Sequence, residues 1–348
     1  MTQQELRTAA PREEQRYIHA LRLLACFLVV VNHTHSPLLG SGAPGAVLFG
    51  CLCLSLSKMA VTLFVMISGI LLLGRDYGAG KIARCIARAL LLLLGVSALL
   101  AVWQEGFAGL LPGRFLPALL AGPRMPPYWY LYALPAFYLA LPFLQKMARQ
   151  FTPRDYWLFT ALLLLLPGAL TLARVYAGLP VAPAFSLALL PKFLTVAVAG
   201  KAVSLLPRRR GGMLLALGLF LLAWGGLFAS FYLPWRAEGR VGLALDSWDL
   251  LPAVVMAGSC AYLFRCLSVG ERLRPRGAAV LRECAGLALG IYVLHPVLIH
   301  FVSERGFLRA LSARSPVLGA PANALCLFAL CGLIVFLLRR VPLVRRLL

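Results

Sequence analysis

The chain has 348 residues, of which 61% are hydrophobic and only 13% are charged, and its mean hydropathy is +0.85. A soluble domain averages roughly 45–50% apolar and about 25% charged residues, so the composition excludes an ordinary soluble enzyme and indicates a polytopic helical membrane protein. The formal net charge of +22 would suit a nucleic-acid-binding protein, but the placement of the charges has to be considered first.

The chain begins with a polar segment, residues 1–16, that carries Arg7, Arg12 and Arg16 ahead of the first apolar run. This segment lacks the pattern of a secretory signal peptide. It therefore predicts a cytoplasmic N-terminal tail before an uncleaved first transmembrane helix.

Apolar runs of membrane-spanning length then follow one another along the chain, separated mostly by prolines and glycines. They predict an all-α bundle of about ten transmembrane helices, a single domain over residues 17–338, followed by a basic cytoplasmic C-terminal tail at 339–348. The sixth run is the weakest, because Pro191, Lys192 and Lys201 interrupt it. The ten runs lie at about 17–36, 46–73, 82–103, 128–148, 155–173, 186–206, 212–234, 248–267, 278–302 and 317–338.

The distribution of Lys and Arg predicts the orientation of these helices. With the N-terminus inside, the inner segments hold 22 of the 34 basic residues, the outer loops hold 8, and 4 lie at membrane depth. Cytoplasmic loops are enriched in Lys and Arg, so both termini are predicted to be cytoplasmic. The same bias accounts for most of the basic charge without any nucleic-acid partner.

The first predicted span contains ionisable residues, which are costly in lipid and usually face a cavity or a partner. Arg22 and His33 are eleven residues apart, which places them on one helix face and about 16 Å apart along the axis. Arg22 should lie in the inner half of the membrane and His33 in the outer half. His19 lies close to the same face, whereas His35 points elsewhere and is interpreted as a bystander.

Two later spans also contain polar groups that need an explanation. In the second span, Lys58 must face protein or water, either pairing with an anion or acting as a structural counter-charge, while Ser68 and Gly69 would let another helix approach closely. In the ninth, Tyr292 and His295 share a face, and Pro296 disturbs the helix beside them. From the residues alone, His295 could belong to a site or be structural.

No metal site is expected. Cys51 and Cys53 form the only close cysteine pair, and they lack the flanking ligands that a zinc site needs.

Four segments together resemble the recurring segments of the acyltransferase family 3 membrane proteins, which are ten-helix bacterial enzymes, many of which O-acetylate cell-surface glycans. The resemblance extends from residue 21 to about 299, and the spacing of Arg22 and His33 is its most specific element. The segments, in chain order, are LRLLACFLVVVNH, VTLFVMISGILLLGR, YWYLYALPAFYLALPFL and LGIYVLHPVLI.

The resemblance implies roles for individual residues. His33 matches the proposed catalytic histidine, a general base, and Arg22 matches its arginine partner, which would position the donor or stabilise charge. The remaining matches imply substrate or donor binding by basic and aromatic positions and by a late histidine: Lys58, Arg75, Arg88, Trp129, Tyr292 and His295.

Three positions depart from the family pattern. His19 stands where an acidic residue is frequent, Pro127 where a histidine is frequent, and Thr62 where a proline is frequent. These departures leave the expected fold and class intact but leave the acceptor and any auxiliary acid–base pair open.

The resemblance implies a multi-pass enzyme of the bacterial plasma membrane, an O-acyltransferase that moves an acyl group, most simply acetyl, from cytoplasmic acyl-CoA to a hydroxyl. The acceptor would be an extracytoplasmic glycan or a lipid-linked sugar, and no permanently bound cofactor is expected. Two other classes remain open: a transporter or flippase for a glycan or lipid-linked substrate, and a non-catalytic scaffold. A transporter would predict repeat symmetry, and none is visible in the sequence.

Overall fold

The computed structural model describes residues 15–75, 77–180, 192–303 and 314–347. These residues form α-helices joined by short turns, and the described part of the chain contains no β-strand. Most of the predicted N-terminal tail and the first residues of the sixth predicted span lie outside it. The helices are α1 Gln15–Thr34, α2 Ser36–Gly40, α3 Pro44–Ser57, α4 Met59–Leu72, α5 Ala79–Glu105, α6 Pro112–Ala121, α7 Trp129–Gln150, α8 Pro153–Thr160, α9 Leu166–Tyr176, α10 Lys192–Ser204, α11 Arg210–Glu238, α12 Leu251–Cys266, α13 Pro275–Gly286, α14 Ala288–Leu298, α15 Pro316–Leu338 and α16 Pro342–Leu347.

The all-helical class predicted from the sequence is confirmed, and within the described residues each predicted span overlaps a helix. Within the described residues, six stretches are long and apolar enough to cross a bilayer, or seven if the bent pair α13 and α14 counts as one span. The other predicted spans correspond to α7, which is less apolar, and to α10 and α12, which have 13 and 16 residues. The count of ten and the cytoplasmic location of both termini therefore stay predictions.

The centre of the bundle is built from α1, α4, α10 and α12, whose apolar side chains form the largest buried cluster. Helix α10 is apolar on almost every face and is buried on almost every face, as such a pattern requires. By contrast, α5, α11 and α15 expose large leucines, such as Leu99, Leu222 and Leu325. These helices form the outside of the bundle, where the surrounding lipid is as apolar as the side chains.

Small residues set how closely α4 and α10 approach. A Cβ atom built on Gly69 would lie 1.8 Å from the carbonyl oxygen of Ala197, and one built on Gly200 would lie 2.4 Å from that of Met66. Only hydrogen atoms at these two positions allow the backbones to cross at this distance. The close helix contact predicted at Ser68 and Gly69 is therefore found, and α10 is the partner.

The ninth predicted span is a bent pair rather than one straight helix. Helices α13 and α14 meet at Leu287 with a bend of 51°, and a π-helical segment, Ile299–Ser303, follows α14. Pro296 lies inside α14, nine residues after the bend. The bend and α14 both face α1, and this arrangement positions the site described next.

Candidate functional site

Two cavities lie end to end along one face of α1. The first has a volume of about 320 Å³ and is lined by Arg22, and the second has a volume of about 470 Å³ and is lined by His33. Arg22 lies in the first half of α1 and His33 close to its end, and we call the two spaces the Arg22 cavity and the His33 cavity. The shared helix face predicted for these two residues is therefore a cavity-lining face.

The two cavities meet at a neck, because four side chains line both of them. Val29 of α1 and Val61 of α4 contribute the aliphatic part, and Tyr130 of α7 and Tyr292 of α14 contribute the aromatic part. The rings of Tyr130 and Tyr292 meet edge to face with centroids 5.6 Å apart. The two cavities are thus adjacent, and these four side chains surround the boundary between them.

The Arg22 cavity combines basic groups with an apolar wall. Arg22 is half-buried on α1, and the exposed Arg88 of α5 stands at its edge, where its Nε donates to the carbonyl oxygen of Leu347 at 2.9 Å. Tyr138 of α7 and Ser68 of α4 add hydroxyl groups, and the bend between α13 and α14 supplies the opposite wall. Two guanidinium groups and an apolar wall suit a ligand that is anionic at one end and apolar along its length.

The His33 cavity is lined by more polar side chains than the Arg22 cavity. Lys58 forms an ion pair with Asp246, which lies in the connection between α11 and α12. Asn32 accepts a hydrogen bond from Ser57 at 3.0 Å, and both residues line the cavity beside His33. Histidine, carboxylate, ammonium and amide groups therefore converge on one space that also has aromatic walls.

The aromatic wall of the His33 cavity is a stacked pair. Trp129, at the start of α7, stacks on Trp248 with ring centroids 5.4 Å apart and an interplanar angle of 22°. Trp248 belongs to the same connection as Asp246, and its carbonyl oxygen accepts a hydrogen bond from Thr62. Besides the contacts made by Asp246 and Trp248, the ion pair between Lys192 and Asp249 also holds this connection in place. Residues 246–249, which we call the cap segment, are thus fixed against α4, α7 and α10.

Tyr292 and His295 lie on one side of α14 but have different surroundings. The hydroxyl of Tyr292 donates to the carbonyl oxygen of Pro127, and its ring lines both cavities. His295 is fully buried and lines neither cavity, and its ring stands 5.3 Å, centroid to centroid, from the ring of His33. His295 is therefore in contact with the site through His33.

Other residues selected from the sequence lie outside the cavities. Arg75 is exposed in the turn after α4 and lines neither cavity. His19 is half-buried on α1 and also lines neither. His35 is buried and lines neither cavity, and its Nδ1 is 3.3 Å from the carbonyl oxygen of Val31.

Sequence reasoning missed several residues that line the cavities. The clearest is Asp246, one of only 12 acidic residues in the chain. A basic residue at membrane depth often pairs with an acidic one, so the cap segment with Asp246 and Asp249 could have been matched to Lys58 and Lys192. The other missed residues lie beside predicted ones on the same helices or in the cap segment, and they are Asn32, Ser57, Tyr130, Tyr138 and Trp248.

Comparison with known proteins identifies a family. The model of acyltransferase family 3, described as an acyltransferase domain, matches residues 15–340, which is nearly the whole chain. No curated protein and no solved structure matches the chain.

Proposed function

Because the chain belongs to acyltransferase family 3, we propose that it transfers an acyl group, most simply acetyl, from cytoplasmic acyl-CoA to a hydroxyl of an extracytoplasmic glycan or lipid-linked sugar. The observation that carries this proposal is the pair of cavities that meet along α1, one lined by Arg22 and the other by His33. If the donor and the acceptor come from opposite sides of the membrane, each needs its own binding cavity, and the two cavities must meet where the reaction takes place.

The donor is assigned to the Arg22 cavity. With the N-terminus inside, as the Lys and Arg distribution predicts, this cavity faces the cytoplasm, where acyl-CoA is found. Arg22 and Arg88 would bind phosphate or the thioester oxygen, since a guanidinium stays charged and donates in a fork. The pantetheine arm, about 15–20 Å when extended, would lie along the apolar wall and bring the thioester to the neck.

The acceptor is assigned to the His33 cavity. Sugar hydroxyls would be bound by Asp246 and Asn32, and the apolar faces of sugar rings pack well on indole rings, which Trp129 and Trp248 supply. Lys58 would orient Asp246 through their ion pair. Arg75, which lines neither cavity, would act only on the part of acyl-CoA that remains in the cytoplasm.

His33 would act as the general base. Its cavity-facing ring nitrogen takes the proton of the acceptor hydroxyl while the oxygen forms a bond to the thioester carbonyl carbon. The tetrahedral oxyanion would be stabilised by a donor at the neck, where Tyr130 supplies a hydroxyl group. When the carbon–sulfur bond breaks, the imidazolium of His33 returns the proton to the CoA thiolate, so the products are the ester and free CoA.

The test uses purified protein in lipid nanodiscs with labelled acetyl-CoA and a mixture of envelope glycans as acceptor. His33→Ala should lose transfer by at least about 100-fold, because general base catalysis contributes about 10²–10⁴. His35→Ala is the matched control, two residues further along the same chain and outside both cavities, and it should transfer at the wild-type rate. Wild-type transfer by His33→Ala would refute the base assignment.

A transporter is the second candidate, and one observation favours it: the 51° bend between α13 and α14. Transporter sites are often built at broken helices near the membrane midplane. The same preparation in liposomes separates the two. Movement of an intact, unacylated substrate without any acetyl transfer would refute the acyltransferase proposal.

A further inference from the structure

The sequence His295–Pro296 determines which ring nitrogen of His295 carries the imidazole proton. In an α-helix the N–H of residue 296 would donate to the carbonyl oxygen of Tyr292, but proline has no N–H. That carbonyl oxygen accepts instead from Nδ1 of the His295 ring, at 2.7 Å, and the carbonyl oxygen of Ile291 lies 3.3 Å from the same nitrogen. A carbonyl oxygen can only accept, so Nδ1 carries a proton.

The second ring nitrogen of His295 is then an acceptor. A neutral imidazole with its proton on Nδ1 has a lone pair on Nε2. The His295 side chain is 0% exposed, and among the described residues its Nε2 has no hydrogen-bond partner. Buried polar atoms without a partner are rare in folded proteins, so this nitrogen calls for a donor.

The nearest ring that could supply this donor is His33. The two ring centroids are 5.3 Å apart, and the ring planes are inclined by 36°. Two imidazoles joined by one N–H···N hydrogen bond have centroids about 5 Å apart, because the bond spans about 2.9 Å and each nitrogen lies about 1 Å from its ring centre. The two rings are therefore close enough for a rotation of the His33 side chain to bring one of its nitrogens within hydrogen-bond distance of His295 Nε2, and the inclination is too large for stacking.

We propose that His295 is a positioning residue for His33: its Nε2 accepts a hydrogen bond from one ring N–H of His33. The inference rests on the function proposed above. Since a neutral imidazole carries a single proton, that bond leaves the other nitrogen of His33 unprotonated toward the cavity, ready to act as a base. When His33 takes the hydroxyl proton, its N–H toward His295 remains, and the buried acceptor stabilises the imidazolium. His295 itself neither gains nor loses a proton.

The kinetic test compares variants that keep or remove the acceptor. His295→Leu removes it, and kcat should fall at least about 10-fold, while KM for acetyl-CoA stays within about twofold. His295→Gln offers a side-chain oxygen near the position of Nε2 and should restore part of kcat. Pro296→Ala returns an N–H to the Tyr292 carbonyl, competes with Nδ1 and should lower kcat in the same way.

The matched control is His300→Gln, on the π-helical turn after α14 and outside both cavities, which should leave kcat unchanged. A wild-type kcat in His295→Leu, together with an inactive His33→Ala, would overturn the positioning role alone. A fully active His33→Ala would overturn the base assignment instead, so the two failures are distinguishable.

A spectroscopic test needs no turnover. The chain has only five histidines, so ¹⁵N-histidine labelling of the protein in lipid gives few signals, and each variant assigns one ring. We expect His295 to carry its proton on Nδ1, and the His33 ring signals to move in His295→Leu but not in His300→Gln. A proton on His295 Nε2, or unmoved His33 signals in His295→Leu, would overturn the inference.

Discussion

At the scale of single residues, charge at membrane depth explains most of the candidate site. Arg22 and His33 line cavities, and Lys58 and Lys192 pair with Asp246 and Asp249 of the cap segment. Each of these groups would be costly if it faced lipid. The ion pairs also fix the cap segment, so the same contacts that neutralise charge shape the wall of the His33 cavity.

The pair between Lys58 and Asp246 should therefore contribute to stability. Lys58→Ala leaves a carboxylate without its cation, and the free energy of unfolding in detergent should fall by about 1–3 kcal/mol. This is less than for a fully buried pair, because the Asp246 side chain is 30% exposed. The control is Arg240→Ala, which removes a pair with Glu238 whose side chains are 84% and 64% exposed, and it should cost under about 1 kcal/mol. Equal stability of the two variants would contradict a structural role for the Lys58 pair.

The sequence predicts the relative position of two site residues when both lie on one helix, but not when they lie on different elements. The shared face of Arg22 and His33 follows from helical geometry alone, and so does the neighbourhood of Tyr292 and His295. Asp246 could not be placed in this way, because it lies in a connection whose path is set by packing against three other helices. The approach of His295 to His33 likewise depends on how α14 packs on α1.

At the scale of elements, close backbone contact decides which helices form the centre. Gly69 and Gly200 let α4 and α10 cross at a distance that any side chain would prevent. The sequence indicated a small-residue site at Ser68 and Gly69, but it could not name α10, whose lysines made its span the weakest of the ten. The bend at Leu287 was also not predictable, since Pro296 pointed to a disturbance nine residues later.

This crossing gives a direct test. Gly69→Ala should lower the free energy of unfolding by at least about 1–3 kcal/mol, because its Cβ would fall 1.8 Å from the Ala197 carbonyl oxygen and the backbones would have to separate. Gly95→Ala is the control, as nothing lies within 4 Å of a Cβ there, and helix propensity should make it neutral or slightly stabilising. Thermal unfolding of both variants in the same detergent measures the difference, and an unaffected Gly69→Ala would contradict the packing.

At the scale of the whole molecule, the bundle places the Arg22 cavity and the His33 cavity at different depths along one helix. Composition predicts that the chain lies in a membrane, and the bias of Lys and Arg predicts the orientation of its helices. Neither predicts the cavities, which arise only when α1, α4, α7 and α14 pack together.

The predicted orientation of the helices can be tested with fusion proteins. A fluorescent protein fused after Leu348 should fold in the cytoplasm, and alkaline phosphatase fused after Arg240 should be active outside. Inactive phosphatase at Arg240 would contradict the predicted topology.

The central claim is that donor and acceptor enter from opposite sides and meet at the neck. The most direct measurement uses proteoliposomes with the protein in one orientation, labelled acetyl-CoA added to one side only and glycan acceptor enclosed on the other. We predict that labelled glycan forms only when acetyl-CoA is on the side of the N-terminus, and that none forms with His33→Ala while His35→Ala behaves as wild type. Transfer that requires both substrates on one side, or that persists in His33→Ala, would contradict the account.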